Sequence, residues 1–245
     1  MNPALHRRPA GSPQTAGAAR ATAGRARRLV GAVLTGIATG VAVVVIALLV
    51  REQWPPLVQL DERAVTAGPA LAAAHPGLLR TLVVWQWVFL AAHVVVPVAA
   101  LCLVYWWRTG NATRTSWALS TILTAWGLSN LLKELVRRAR PVLDQPVESA
   151  GGFSFPSGHA ANTAAMTTTL VVLVWPSLRS RALRVAAIAG AAVLTVATGV
   201  DRVMLGVHHP SDVVAGILFG VGFVLASYLA YRHWPTPRRE PGTAS

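Results

Sequence analysis

Six apolar stretches, at about 29–50, 83–107, 115–132, 157–175, 183–200 and 211–231, take up about half of this 245-residue chain. Each approaches or exceeds the roughly 20 residues needed to cross a bilayer as a helix. A soluble helical protein would carry polar stripes at helical period along such segments. These carry only scattered Ser, Thr, Asn and His. With 53% hydrophobic and 13% charged residues, the chain is too apolar for a soluble domain of its size. The pattern predicts an all-α, integral membrane bundle of six transmembrane helices over residues 29–232. Tails at 1–28, rich in Ala, Gly, Arg, Ser, Thr and Pro, and at 233–245 are expected to be disordered and cytoplasmic.

The first stretch is 22 residues long, beyond the roughly 7–15 of a signal-peptide core, and no small-residue cleavage site follows it. It reads as a retained span. Arg7-Arg8 lacks the hydrophobic context of a twin-arginine signal. The single cysteine, Cys102, falls in the second stretch and has no intramolecular disulfide partner.

Basic residues set the orientation. With the N-terminus inside and six crossings, the inner segments hold 14 Arg against Glu240 alone, and the outer segments hold eight bases against eight acids. The whole net charge of +13 then lies on the cytoplasmic side. A pI near 11.7 would otherwise suggest nucleic acid, but a topological excess without any nucleic-acid motif excludes it. The expected location is the plasma membrane, with both termini cytoplasmic.

Three polar clusters interrupt the apolar chain, and this topology puts all three on the outer face. The only lysine, Lys133, is followed after six residues by Arg140-Pro141. Pro156-Ser157-Gly158-His159 opens the fourth stretch. Asp201, Arg202, His208 and Asp212 join the fifth stretch to the sixth. Ser157 suits a helix N-cap, and Gly158 lets a ligand approach the backbone. Free N–H groups and the helix dipole at such a start form an anion site. Lys133, Arg140 and Arg202 supply donors matched to phosphoryl oxygens. His159 beside an anion becomes a candidate acid–base group. His208 and Asp212 are four apart, so on a helix the carboxylate can hold one imidazole nitrogen and leave the other as nucleophile. His209, three from Asp212, competes for that role by spacing. Arg137 and Arg138 read as lipid-headgroup contacts. His93, in the second stretch, reads as an interhelical hydrogen-bonding residue. No Cys, His or carboxylate set has metal-ligand spacing, and no cofactor is expected.

Together these clusters resemble the signature of the type 2 phosphatidic acid phosphatase superfamily, the lipid phosphate phosphatases. Its Lys-x6-Arg-Pro, Pro-Ser-Gly-His and Ser-Arg-x5-His-x3-Asp motifs are matched in order over about 80 residues, from Lys133 to Asp212. The resemblance implies metal-independent hydrolysis of a lipid phosphomonoester or diphosphate through a phosphohistidine. It makes His208 the nucleophile in preference to His209, Asp212 its orienting carboxylate and His159 the acid. Lys133, Arg140, Ser157, Gly158 and Arg202 would hold the phosphoryl oxygens. The implied partners are membrane lipids, with isoprenoid diphosphate, phosphatidic acid or phosphatidylglycerol phosphate as substrate. Asp201 stands where the family usually has Ser, so it must pair with Arg202 or Arg140, or point away from phosphate. A non-catalytic lipid-phosphate binder or transport component is the alternative, but it should carry ionisable groups deep in the bilayer. The haloperoxidases that share this anion pocket are soluble.

Overall fold

The computed structural model describes residues 13–142 and 151–232. Parts of the expected tails, 1–12 and 233–245, and residues 143–150, between the first two polar clusters, fall outside the described residues. Eight α-helices are present among them: α1 (Pro13–Arg51), α2 (Pro55–Ala74), α3 (Pro76–Val88), α4 (Ala91–Thr109), α5 (Ala112–Val136), α6 (Gly158–Val174), α7 (Arg181–Met204) and α8 (Pro210–Tyr231). One 3-10 turn, Trp175–Ser177, follows α6.

On length and composition, three described helices can cross a membrane: Thr22–Arg51 of α1, α7 and α8. Only 11% of the most apolar window of α1 is buried inside the protein, so its Val, Leu and Ile side chains face outward and need lipid. The chain is an integral membrane protein. α3 and α4 make a fourth crossing if counted as one span, but the pair bends by 52°. The single helix expected at 83–107 is therefore broken. Leu90 is extended at ψ 136°, and His93 Nδ1 lies 2.5 Å from the Trp87 carbonyl across the break. His93 is thus an exposed residue bridging the break.

α5 and α6 fall short of the same threshold, so composition does not establish six spans. α6, at 17 residues, is short of it, and α5 is too polar, with Thr115, Thr121 and Ser129 buried inside the protein. In α5, Trp117 Nε1 donates to Ser227 Oγ at 3.0 Å, and Thr121 Oγ1 meets the same oxygen at 3.0 Å. α6 buries Thr163 and Thr169. Interhelical hydrogen bonds of this kind hold helices together where lipid offers no hydrophobic drive.

Residues 51–82, read from sequence only as an outer connection, contain α2 and the start of α3. Each helix begins at a proline, whose missing N–H costs nothing there. α7 runs past Asp201 and Arg202, so both sit in its last turn, with the connecting loop starting only after Met204.

One seam positions everything that follows. Gly216 and Gly220, four apart on α8, lie against α6. A Cβ on Gly216 would stand 2.7 Å from the Ser157 carbonyl, and one on Gly220 would stand 2.5 Å from that of Ala161. Small residues at this spacing let two helix backbones touch. The contact brings the N-terminus of α6 beside the N-terminus of α8, where the Ser157 N–H donates to the Asp212 carbonyl at 2.9 Å.

Candidate active site

The α6–α8 seam gathers the second and third sequence clusters, and the end of α5 brings in the first. Lys133 lies in the last turn of α5, and its Nζ donates to the Phe153 carbonyl at 2.9 Å. Past the helix, Arg140 binds the segment before α6 through Gly152 O at 3.1 Å and Gly151 O at 3.0 Å. Its Nη1 donates to Val207 O at 2.9 Å and stands 3.2 Å from His208 Nε2. Lys133, Arg140, Gly158, His159 and His208 line one pocket of about 200 Å³, with Phe89, Val94 and Met166 as its apolar wall.

The α6 N-terminus opens on this pocket. Ser157 occupies the N-cap position as expected, but its hydroxyl makes no cap hydrogen bond. Ser157 Oγ and His159 Nε2 are buried without a hydrogen-bond partner. Unpaired buried polar atoms are costly, so two of them beside a cationic pocket fit an oxygen-rich ligand. Gly158 packs against Lys133, and a Cβ there would lie 3.4 Å from Lys133 Cε.

His208 sits in the loop before α8 and is 2% exposed. Burial, reinforced by Arg140 and Lys133 and opposed by the nearby Asp212 carboxylate, lowers its pKa to about 4. The ring is therefore neutral near neutral pH. Its Nε2 faces the pocket and its Nδ1 faces Asp212, at 3.6 Å from Oδ2. That separation is longer than a hydrogen bond. Ser154 Oγ lies between, 2.5 Å from Asp212 Oδ2 and 3.3 Å from His208 Nδ1. His209 has a different place. Its backbone N–H donates to Asp212 Oδ2 at 2.9 Å, its Nδ1 is 3.3 Å from the same oxygen, and it caps α8 outside the pocket.

Arg202 and Asp212 stand behind the pocket. Arg202 is 2% exposed, and its guanidinium donates to Asp201 through Nε at 2.8 Å and through Nη2. Nη2 also donates to Gln86 Oε1 at 2.9 Å. Asp201 thus pairs with Arg202, the arrangement that keeps its charge from opposing a bound anion. The Arg202 carbonyl accepts the N–H groups of Val207 at 3.1 Å and His208 at 3.3 Å, which folds the loop carrying His208 back on α7.

One expectation is overturned. Arg138 is no headgroup contact. It is 12% exposed, donating to Asp212 Oδ1 at 2.6 Å and Asp61 Oδ2 at 2.8 Å. The extended chain after α5 turns its side chain inward, and the Arg138 carbonyl holds the Ser154 N–H at 2.8 Å. Arg137 remains exposed beside Glu134. Sequence reasoning missed Asp61, Gln86 and Ser154. Ser154 had a signal, a polar residue just ahead of Phe155-Pro156. Asp61 and Gln86 had none beyond being polar near apolar runs.

The PAP2 superfamily model matches residues 114–235. Lipid A 1-phosphatase of Rhizobium etli is 36% identical over 125 residues, 47% of this chain and 50% of that protein. Phosphatidylglycerophosphatase B of Bacillus subtilis is 35% identical over 115 residues, 44% of this chain and 55% of the relative. Decaprenylphosphoryl-5-phosphoribose phosphatase of Mycobacterium tuberculosis is 34% identical over 110 residues, 42% of this chain and 54% of the relative. The chain thus spans about half the length of the curated relatives it matches. The crystal structure of a transmembrane PAP2-type phosphatidylglycerolphosphate phosphatase from Bacillus subtilis superposes with a TM-score of 0.69 at 22% identity. The match covers 78% of this chain and 93% of that one, and shows a shared fold.

Proposed function

This chain belongs to the PAP2 superfamily through residues 114–235, and from that premise we propose that it is a membrane lipid phosphatase working through a phosphohistidine. The observation that carries the proposal is the aim of His208. Its neutral Nε2 looks into a pocket walled by Lys133, Arg140 and the start of α6, beside the unpartnered Ser157 Oγ and His159 Nε2.

The phosphoryl oxygens would sit against Lys133, Arg140, the Ser157 hydroxyl and the first N–H groups of α6. Donors fixed in place before the reaction stabilise the charge that builds on these oxygens. His208 Nε2 attacks phosphorus while the bond from phosphorus to the lipid oxygen breaks. With the anionic phosphate beside it, His159 takes up a proton and gives it to that oxygen. A water then attacks the phosphohistidine, His159 takes the water's proton, and His208 Nε2 departs with its electron pair. Asp212 and Ser154 face Nδ1 and offset the positive charge the ring acquires. Arg202 supports this set through the loop it holds, and Asp201 neutralises it in the empty site. Charge stabilisation comes from Lys133, Arg140 and the helix N-terminus, and the account needs no metal.

The phosphatase names of the relatives support a lipid phosphate as substrate. Phosphatidic acid, phosphatidylglycerol phosphate and isoprenoid diphosphate fit the pocket's chemistry equally. Purified protein in detergent with excess chelator should release phosphate from at least one of these, with vanadate inhibiting. Release that fails in chelator and returns with magnesium or zinc overturns metal independence. A chain idle on the whole panel overturns the phosphatase reading.

The six-crossing topology belongs to the same proposal, with α1, bent α3–α4, α5, α6, α7 and α8 each crossing the plasma membrane and the pocket outside. α5, at about 37 Å for its 25 residues, is long enough for a core of about 30 Å. In a Cys102→Ala background, Gly151→Cys should react with a membrane-impermeant maleimide in intact cells. Ser180→Cys should react only after lysis. The opposite pattern would put the chemistry on the cytoplasmic leaflet.

A further inference from the structure

One of the most buried charges at the pocket end comes from outside the family-matched segment. Asp61, on α2, is 1% exposed. Its Oδ1 accepts the backbone N–H of Ser211 at 3.0 Å, in the first turn of α8. Its Oδ2 accepts Arg138 Nη2 at 2.8 Å and the Ser211 hydroxyl. Arg138 Nη1 then reaches Ser211 Oγ at 2.7 Å and Asp212 Oδ1 at 2.6 Å. Asp212 Oδ2 faces His208 Nδ1. The groups run Asp61, Arg138, Asp212, His208, from the bundle's flank to the pocket.

Two consequences follow from this order. The first is geometric. Asp61 anchors the residue before Asp212 by main chain and side chain, so it fixes the carboxylate that faces the nucleophile. The second is electrostatic. Arg138 is shared by two carboxylates, and the three groups sum to −1. Without Asp61, a guanidinium 2.6 Å from Asp212 would cancel its charge. The His208 ring becomes positive as its Nε2 bonds to phosphorus, and a neutral Arg138–Asp212 pair would hold that charge poorly. A bare Asp212 would serve electrostatically but would be costly to bury. The Asp61–Arg138 pair both anchors Asp212 and leaves it anionic.

We propose that Asp61 of α2 is a positioning residue for His208, acting through Arg138 and Asp212 to orient Asp212 and keep it negatively charged. This rests on the phosphatase reading. It extends the site beyond residues 114–235 to a helix whose sequence carries no motif.

The test uses the full chain in detergent, dioctanoyl phosphatidic acid as substrate and inorganic vanadate to count intact sites. Asp61→Asn keeps the shape and an acceptor for the Ser211 N–H. Its kcat per vanadate-binding site should fall about 10–100-fold, the range for groups that orient a reacting histidine from behind, with KM within about threefold. Asp61→Glu keeps the charge but displaces it, and should fall between wild type and Asp61→Asn. Pairing Asp61→Asn with Arg138→Gln restores the −1 sum, so the double variant should lose less than the product of the single losses. If Asp61→Asn does not fold, Asp61→Glu carries the test through its own loss of kcat per site. Wild-type kcat per site in the folded variant overturns the proposal. So does a loss of vanadate-binding sites that accounts for all the lost activity. Wild-type protein that releases no phosphate from any lipid tested instead brings down the phosphatase reading. An active wild type, a dead His208→Ala and an unimpaired Asp61→Asn bring down this inference alone.

Discussion

The two ends of the helix bundle treat charge in opposite ways. At the pocket end, Asp61, Asp201, Arg202, His208 and Asp212 are each at most 2% exposed and are held in two paired groups, Asp61–Arg138–Asp212 beside His208 and Asp201–Arg202. At the other end, three arginines rest on aromatic rings. Arg114 lies 5.7 Å and Arg232 5.5 Å from the Tyr228 centroid, and Arg184 lies 5.2 Å from that of Trp175. Arg184 and Arg232 are exposed. A buried charge is strongly unfavourable unless each neighbour is in place, so it persists where those neighbours serve chemistry. Exposed arginines over aromatic rings are held weakly and tolerate change. The charges at the pocket end are buried and paired, as the proposed reaction site needs, while Arg184 and Arg232 at the other end stay exposed.

The contrast breaks most readily through His208, the proposed nucleophile. His208→Ala should lower phosphate release by about 10⁴-fold or more while leaving the melting temperature in detergent close to wild type. Arg184→Ala should leave turnover within about twofold. His209→Ala, which removes a cap and no pocket group, should cost less than about tenfold. A dead His209→Ala beside an active His208→Ala would reverse the assignment.

Stability sharpens the same comparison. Arg138→Met strands Asp61 and Asp212 and should cost about 3–5 kcal/mol in unfolding experiments. Arg232→Ala, at the opposite end, should cost no more than about 1 kcal/mol. Equal losses would mean that burial does not distinguish the two ends. The seam between α6 and α8 comes next. Gly220→Val forces atoms against the Ala161 carbonyl and should cost about 1–3 kcal/mol, with turnover falling because both helix starts move.

The last effect is on acid stability. His208 titrates near 4 when folded and near 6.5 when unfolded, so the unfolded chain binds more protons between those values. Stability from this group is full above about pH 6.5 and is lost as pH falls toward about 4. Wild type should therefore lose more melting temperature across that window than His208→Asn. Equal losses would contradict the low value.

Much of the pocket was legible because its chemistry lies in short, local patterns. Lys133, Arg140, Gly158, His159 and His208 line one wall in the order and spacing that pointed to them. Ser157 was read as a cap for its residue type. The structure keeps that position and frees the hydroxyl, because the first α6 turn faces the pocket. Arg138 was misread because its direction depends on the chain's path after α5, which residue spacing does not encode. Asp61 was invisible for a related reason. Its partners, Arg138 and Ser211, are 77 and 150 residues away, and one carboxylate on α2 carries no period or motif. The break between α3 and α4 was hidden in an unbroken apolar run, since hydropathy reports depth and not direction. Polar residues buried inside the protein lower the hydropathy of α5, and α6 is short at 17 residues.

The most direct test of the account is to locate the phosphoryl group on the protein during turnover. Wild-type protein would be mixed with phosphatidic acid labelled at phosphorus, quenched in alkali at steady state, digested and mapped by mass spectrometry. The account expects label on His208, none in His208→Asn, and label retained in His209→Ala. Label on His209 or His159, or rapid product release with no phosphorylated histidine at any time, would contradict it.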